Sequence, residues 1–418
     1  MSAGRIIVLG AGVAGLSVAL PLRRAGREVT VIDALPPAGG SSFGNAGLLS
    51  PDTSVPVALP GMLRKVPGWL SDPLGPLVVR RSYLPRATPW LWRWIKAGRM
   101  DRALAISASM RALHVGSFEA WRALLGAGGF SEFIRQSGQV QVFDRAEETP
   151  AAALEREFRA RQGIPTEVLG ADELRQMFPG IARHVSRGVL IPGNGNTVNP
   201  GRMVRRLADL FLAEGGEILA ERVLKLIPRE GGGWMAMTNV ANHVAATVVV
   251  AGGAWSRAML DPLGIRVPLE TERGYHLLLP GANVAPRMPI LYKSRSFTIT
   301  PMEEGLRAAG TVEIAGLDAA PDERRAEQLL RLMRTLFPGL EGGTPRLWMG
   351  HRPSTPDSLP VLGPVPSRPG LHLCLGHGHF GMTGGPPSGK LVSDLILGAA
   401  PRIDAAPYSV NRFQGGSP

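Results

Sequence analysis

The sequence predicts an α/β fold that opens on a Rossmann-like βαβ unit. Three observations carry this: an apolar run, a glycine-rich turn, and a second apolar run closing on an acid. Arg5-Ile6-Ile7-Val8-Leu9 has the length and composition of a strand. Gly10, Gly12 and Gly15 follow as G-x-G-x-x-G. Gly10 permits a tight turn, Gly12 lets backbone approach a pyrophosphate, and Gly15 lets helix and strand pack closely. Residues 16–25 are expected to be helical, with Pro21 removing one backbone bond and inviting a kink. Val29-Thr30-Val31-Ile32 is a second strand, ending at Asp33. A helix start of this kind offers N–H groups to phosphates, and an acid at Asp33 accepts from ribose hydroxyls. A glycine turn without ligand is the plainer alternative, but the βαβ context with its acid favours a bound dinucleotide.

Further elements follow in order. Residues 51–100 are rich in proline, arginine and tryptophan. Residues 101–125 are expected to be helical, with Leu104, Met110, Leu113, Phe118, Trp121 and Leu125 facing a core. Phe133–Phe143 is expected as one strand, and Ala151–Gln162 and Ala171–Met177 as helices. Asn199 caps a helix with Pro200 in its first turn, and Gly215-Gly216 stops it. Strands are expected at Glu217–Ile227 and Val244–Ala251, then at Tyr275–Leu279, Phe297–Thr300 and Leu306–Val312. Glu323–Leu336 is expected as a helix and Leu371–Leu375 as a buried strand.

Composition fits a two-domain enzyme. The 418 residues are 44% hydrophobic and 19% charged, enough for a large core and too few charges for disorder. The net charge of +12 does not imply a nucleic-acid partner. Only Lys65, Lys96, Lys225, Lys293 and Lys390 are lysines among 46 cationic residues, and no zinc-finger, helix-turn-helix or RNP pattern accompanies them. The single cysteine, Cys374, excludes an internal disulfide and reads as a packed thiol. His372, His377 and His379 match no common zinc spacing, so no metal is expected. The uncharged run Ile6–Leu22 near the N-terminus is the fingerprint itself and not a leader, which points to a cytoplasmic protein. Trp69, Trp90, Trp92 and Trp94 accompany Arg64, Lys65, Arg80, Arg81, Arg86, Arg93, Lys96 and Arg99. Such a segment either packs over the dinucleotide domain or contacts the inner face of the cell membrane peripherally.

Pro36-Pro37-Ala38-Gly39-Gly40-Ser41-Ser42-Phe43-Gly44-Asn45-Ala46-Gly47 is a small, polar, glycine-rich loop. In it the chain resembles the D-amino-acid oxidase superfamily of FAD-dependent oxidoreductases, closest to the bacterial D-amino-acid dehydrogenase and glycine-oxidase-like branch. The resemblance continues through Leu59-Pro60-Gly61, Lys65–Leu70, Tyr83-Leu84-Pro85 and Val248–Ser256. It closes with Gly350-His351-Arg352-Pro353, Pro356-Asp357, Leu359-Pro360, Gly363-Pro364 and Gly376-His377-Gly378-His379.

The resemblance implies FAD as cofactor. Val13 and Ala14 then lie at the diphosphate with the three fingerprint glycines, while Ser41, Ser42, Asn45, Ala46, Gly47 and Leu48 carry the loop to the flavin. Val223 would meet adenine through its backbone, and Ala251 and Gly252 would close the far side. Gly378, His379, Phe380, Gly381, Met382 and Thr383 would pass the flavin as a turn leading into a helix. Motifs at both chain ends imply a discontinuous FAD-binding domain, at 1–129, 196–263 and 345–418. A mainly antiparallel β substrate domain is inserted at 130–195 and 264–344.

Flavin chemistry on an amine calls for anchors more than for an acid–base triad. Arg352 is the expected carboxylate anchor, since a guanidinium binds bidentately and keeps its charge. Tyr275 and His276 sit on a strand that the family turns toward the flavin, and alternation lets one of them face the site. The implied activity is FAD-dependent oxidative deamination of a D-amino acid or related secondary amino acid, with electrons passing to a quinone or another acceptor. An oxygen-using oxidase is the related alternative, and a non-catalytic flavin-binding subunit the alternative of another class. The oligomeric state is left open.

Overall fold

In a computed structural model, residues 4–61 and 75–414 are described. Arg64, Lys65 and Trp69 lie outside the described residues.

The fold is α/β, built on two large sheets. The first has six strands, in the order Glu217–Ala220, Val29–Asp33, Ile6–Leu9, Thr247–Val250, Leu371–Leu375 and Val361–Pro364. All its pairings are parallel except the last. Its inner strands Ile6–Leu9 and Thr247–Val250 are almost wholly apolar because both faces are covered. Ile6, Val8, Val31 and Val249 pack with the helices Val13–Arg24, Pro200–Ala213 and Gly381–Leu397. Ile7, Leu9, Ile32, Val248 and Val250 pack oppositely, against Leu226, Trp234 and Ala236 of a three-stranded sheet.

Pro21 lies inside the helix Val13–Arg24, which runs on through it. Proline lacks the N–H that the Ser17 carbonyl would otherwise accept. That carbonyl faces Gly389 of the helix Gly381–Leu397, where a Cβ would come within 2.2 Å of the oxygen. A glycine lets the two helices touch there.

The second sheet runs Arg346–Ser354, Glu270–Leu279, Gly305–Ile314, Phe297–Met302, Ile290–Tyr292, Gln139–Phe143, Arg187–Ile191 and Glu167–Gly170, with Leu77–Val79 beside Gly305–Ile314. It is antiparallel except where Ile290–Tyr292 meets Gln139–Phe143 and where Leu77–Val79 joins. On one face Leu277, Leu279, Ile299 and Ala308 pack against Leu329, Met333 and Leu336 of the helix Arg324–Leu336. The opposite face looks toward the dinucleotide fingerprint.

Several expectations are corrected. Arg346–Ser354 is hydrogen bonded to Glu270–Leu279, so this strand belongs to the second sheet and not with the FAD-binding part expected from residue 345. Glu217–Ile227 is two strands in two sheets, because the chain leaves the parallel sheet after Ala220. Phe133 ends a helix, and Ile134–Arg135 and Gln139–Phe143 are separate strands. The tryptophan-rich segment contains the helix Leu84–Ala97, in which Ala87, Trp90, Trp94 and Ala97 are buried at helical spacing. Trp90 Nε1 donates to the Ser354 carbonyl at 3.1 Å. Trp92 points outward, 58% exposed, with Lys96 Nζ 5.5 Å from its ring centroid.

Candidate active site

A cavity of about 1460 Å³ lies between the two sheets. That exceeds the roughly 300–1,000 Å³ of an ordinary small-molecule pocket and leaves room for a dinucleotide and a second ligand.

The fingerprint forms one end. Gly10 has φ of 120°, and a Cβ there would lie 2.5 Å from the Ala251 carbonyl oxygen. Gly12 precedes the helix Val13–Arg24, which has no side-chain cap and no acid in its first turn. Its N–H groups therefore face the cavity unopposed, apart from Val13, whose N–H donates to Ser42 Oγ at 3.1 Å. A Cβ on Gly12 would point at the same hydroxyl, 3.3 Å away. The Asp33 carboxylate is fixed at the strand end by Ala11 N–H (2.7 Å) and Leu35 N–H (2.9 Å). An uncapped helix start, a side-chain-free approach and a fixed acid are the donor set that FAD requires.

Most residues expected at the cofactor line this cavity: Gly10, Gly12, Val13, Ala14, Asp33, Ser41, Ser42, Asn45, Ala46, Leu48, Val223, Ala251, Gly252 and Gly378 through Thr383. Gly15 and Gly47 do not. A Cβ on Gly15 would sit 1.9 Å from the Gly10 carbonyl oxygen, so this glycine serves helix–strand packing. Gly47 has φ of 79°, turns the loop, and donates its N–H to Asn45 Oδ1 at 2.8 Å. The helix Gly381–Leu397 begins at the cavity without a side-chain cap, and Thr383 Oγ1 accepts from Ser50 N–H at 3.0 Å.

Arg352 lies on the outermost strand of the second sheet, opposite Glu272. Its guanidinium lies flat across the neighbouring strand because Gly274 has no side chain: a Cβ there would be 2.2 Å from the guanidinium carbon. Nη1 donates to the Thr311 carbonyl at 3.3 Å. Burial lowers the Arg352 pKa, yet a guanidinium stays charged. Beside it, Glu272 Oε2 lies 2.6 Å from His379 Nε2. Burial opposes ionisation of Glu272, but His379 and Arg352 together hold its carboxyl below the ordinary range.

Tyr275 and His276 point to opposite faces, as alternation requires. Tyr275 touches the cavity wall, but its hydroxyl donates to Glu313 Oε2 at 2.6 Å and accepts from Asp322 N–H at 3.1 Å. Both partners lie on the side of the helix Arg324–Leu336. His276 is absent from the lining and sits behind Trp348, stacked on it at 4.9 Å between centroids. Burial pushes its pKa down to about 3, so the neutral ring donates Nδ1–H to the Gly44 carbonyl at 2.9 Å. The Tyr275 hydroxyl and His276 Nδ1 are thus both engaged by the protein. Wall residues near Arg352 and the C-terminal turn that the sequence did not assign include Gly274, Thr311, Trp348 and His377. Gly274, beside the Tyr275-His276 pair, and His377, in the Gly376–His379 motif, carried a sequence signal.

Two of the three C-terminal histidines have partners within the protein. His377 Nε2 lies 3.0 Å from Ser388 Oγ, while His379 is taken by Glu272. Among the described residues no group of three or more His, Cys, Asp or Glu is placed to hold a metal ion. Cys374 is fully buried and its thiol is pushed up to about 12, so it is unreactive. No helix of the described residues is long and apolar enough to cross a membrane.

Comparison with known proteins agrees with this geometry. The chain is 37% identical over 424 residues to a D-amino-acid oxidase of Bradyrhizobium diazoefficiens, covering 99% of this chain and all of that one. It is 32% identical to a D-amino acid dehydrogenase of Rhodopseudomonas palustris, covering 99% of both. Among solved structures, glycine oxidase from Geobacillus kaustophilus superposes with a TM-score of 0.71 at 22% identity, over 98% of this chain and 99% of that one. Iminodiacetate oxidase from Chelativorans sp. gives 0.72 at 22% identity, over 97% and 98%. The DAO family profile, described as FAD dependent oxidoreductase, matches residues 5–395, and the chain belongs to that family.

Proposed function

We propose that this protein is a D-amino-acid dehydrogenase that deaminates its substrate oxidatively and passes electrons to a quinone or another acceptor. The observation that carries the reading is Arg352, laid over Gly274 in a cavity large enough for FAD and substrate together. FAD supplies the hydride acceptor. Arg352 takes the substrate carboxylate through its planar fork, which fixes position and hand. His379, held at Nε2 by Glu272, keeps Nδ1 for the ammonium proton that must leave before Cα–H can. Trp348 and the loop around Gly44 close the cavity wall and keep water from the reacting carbon.

Oxygen as acceptor is the second reading, favoured by the name of the 37% identical relative. Purified yellow protein tests both readings. A panel of D-amino acids should bleach the flavin anaerobically and sustain turnover with an artificial acceptor. Peroxide formed at a comparable rate in air would select the oxidase. Neither bleaching nor turnover would leave a flavin-binding subunit.

The exposed face of the helix Leu84–Ala97 supports peripheral contact with an anionic membrane. It presents Leu84, Arg86, Trp92 and Arg93, while Trp90 and Trp94 are buried in the core. Trp92→Ala should weaken salt-sensitive co-sedimentation with anionic liposomes and leave flavin content intact. Absence of binding at low salt would remove the membrane reading.

A further inference from the structure

The far end of the cavity is walled by the helix Pro150–Arg161 and carries charges that the reaction does not need. Glu155 lies at its centre. Lys293 Nζ donates to Oε1 at 2.6 Å, and Arg159 Nη2 donates to Oε2 at 3.0 Å. Arg159 Nη2 also donates to Gln141 Oε1 at 3.2 Å. Two cations share one carboxylate, so the cluster keeps one positive charge. Glu155 and Arg159 are buried, and Lys293 keeps 29% side-chain exposure. Both described bonds of Arg159 use Nη2, which leaves Nε and Nη1 without a protein partner among the described residues. Lys293 retains two further N–H donors. All four side chains line the same cavity as Arg352.

Sheet order sets the spacing. The Arg352 guanidinium lies over Gly274 and bonds to the strand Gly305–Ile314, so the cluster, beside Ile290–Tyr292 and Gln139–Phe143, stands two to four strands away. At about 4.8 Å per strand, the cationic centres are roughly 10–19 Å apart across the sheet. Each charged contact takes up about 3 Å, which leaves roughly 4–13 Å between two bound carboxylates, room for a dicarboxylic amino acid of about five carbons or more.

We propose that Arg159 and Lys293, held in place by Glu155 and Gln141, form a second carboxylate subsite that selects D-amino acids with an acidic side chain. The proposal rests on the functional reading above for its substrate, but the subsite itself is a binding claim and is testable without turnover. A cationic side chain meets repulsion there, because the one carboxylate already serves two cations. A neutral aliphatic chain leaves the donors unsatisfied.

Calorimetric titration of the purified holoprotein with glutarate and adipate, against pentanoate and hexanoate, tests it. The diacid is expected to bind about tenfold or more tightly than the monoacid of equal length, the gain of one charged hydrogen bond. Lys293→Met removes the surplus charge and leaves the Glu155–Arg159 pair intact, so it should collapse the diacid-to-monoacid ratio toward one. Lys293→Arg should restore it. Flavin content and melting temperature of each variant confirm that it is folded. No diacid gain in the parent protein, or a gain that survives Lys293→Met, overturns the subsite. Failure of every D-amino acid to bleach the flavin, with the diacid gain intact, overturns the functional reading alone.

Discussion

Arg352→Lys keeps the charge and loses the planar fork. The loss of one charged hydrogen bond is worth about 1.5–3 kcal/mol, so kcat/KM for a D-amino acid should fall by roughly ten- to a hundredfold. Flavin per mole of protein should stay constant, and steady-state kinetics with absorbance at the flavin band check both. Gly274→Ala should do similar damage, because its Cβ claims the space of the guanidinium carbon. The placement of Arg352 in the cavity wall was legible in sequence because it stands in a recognisable motif, Gly350-His351-Arg352-Pro353. The fate of Tyr275 and His276 was not. Alternation says that they diverge, but their partners decide what each does. Glu313 lies 38 residues onward and takes the tyrosine hydroxyl. Trp348 covers the histidine from another strand. Neither contact leaves a trace in local sequence.

Helix starts and helix contacts decide whether FAD is held. Gly12→Val places a branched side chain at the uncapped start of Val13–Arg24, toward Ser42. Purified variant should lose the flavin absorbance band, and stoichiometric FAD in it would refute the assignment of the diphosphate site. Gly389→Val acts one layer behind. Its Cβ would overlap the Ser17 carbonyl, so the two helices must separate, at a cost of about 1–3 kcal/mol and a measurable fall in melting temperature. The βαβ unit was legible because strand, turn and acid are consecutive in sequence. Pro21 promised a kink, and tertiary packing absorbed it. The helix Leu84–Ala97 was hidden by its prolines, although Pro85 falls at the helix start, where proline is tolerated.

Three buried histidines give the whole molecule a weakness toward acid. Burial holds His114 at about 4, and His276 and His377 at about 3, against about 6.5 in an unfolded chain. Their folded pKa values are depressed, so the stability they allow is complete above about pH 6.5 and is lost as pH falls toward those values. Each contributes up to about 1.4 kcal/mol per pH unit in that window. Urea unfolding at pH 7, 6 and 5 should show the decline, and His377→Gln should make it shallower. An unchanged slope would locate the acid sensitivity elsewhere. The division of the molecule into two sheets was legible only in outline. Motifs at both chain ends announce a discontinuous domain, but sequence carries no mark that Arg346–Ser354 crosses to the other sheet.

The order of the six-stranded sheet also governs how the protein is born. Ile6–Leu9 pairs with Thr247–Val250, which in turn needs Leu371–Leu375. A ribosome adding about 5–20 residues per second reaches that last strand roughly 20–75 s after the first. Until it emerges the six-stranded sheet is incomplete, and the open edge of Thr247–Val250 invites pairing with other nascent chains. Slow translation at low temperature and a generous flavin supply should therefore raise the yield of yellow protein. Chains halted before residue 371 should emerge colourless.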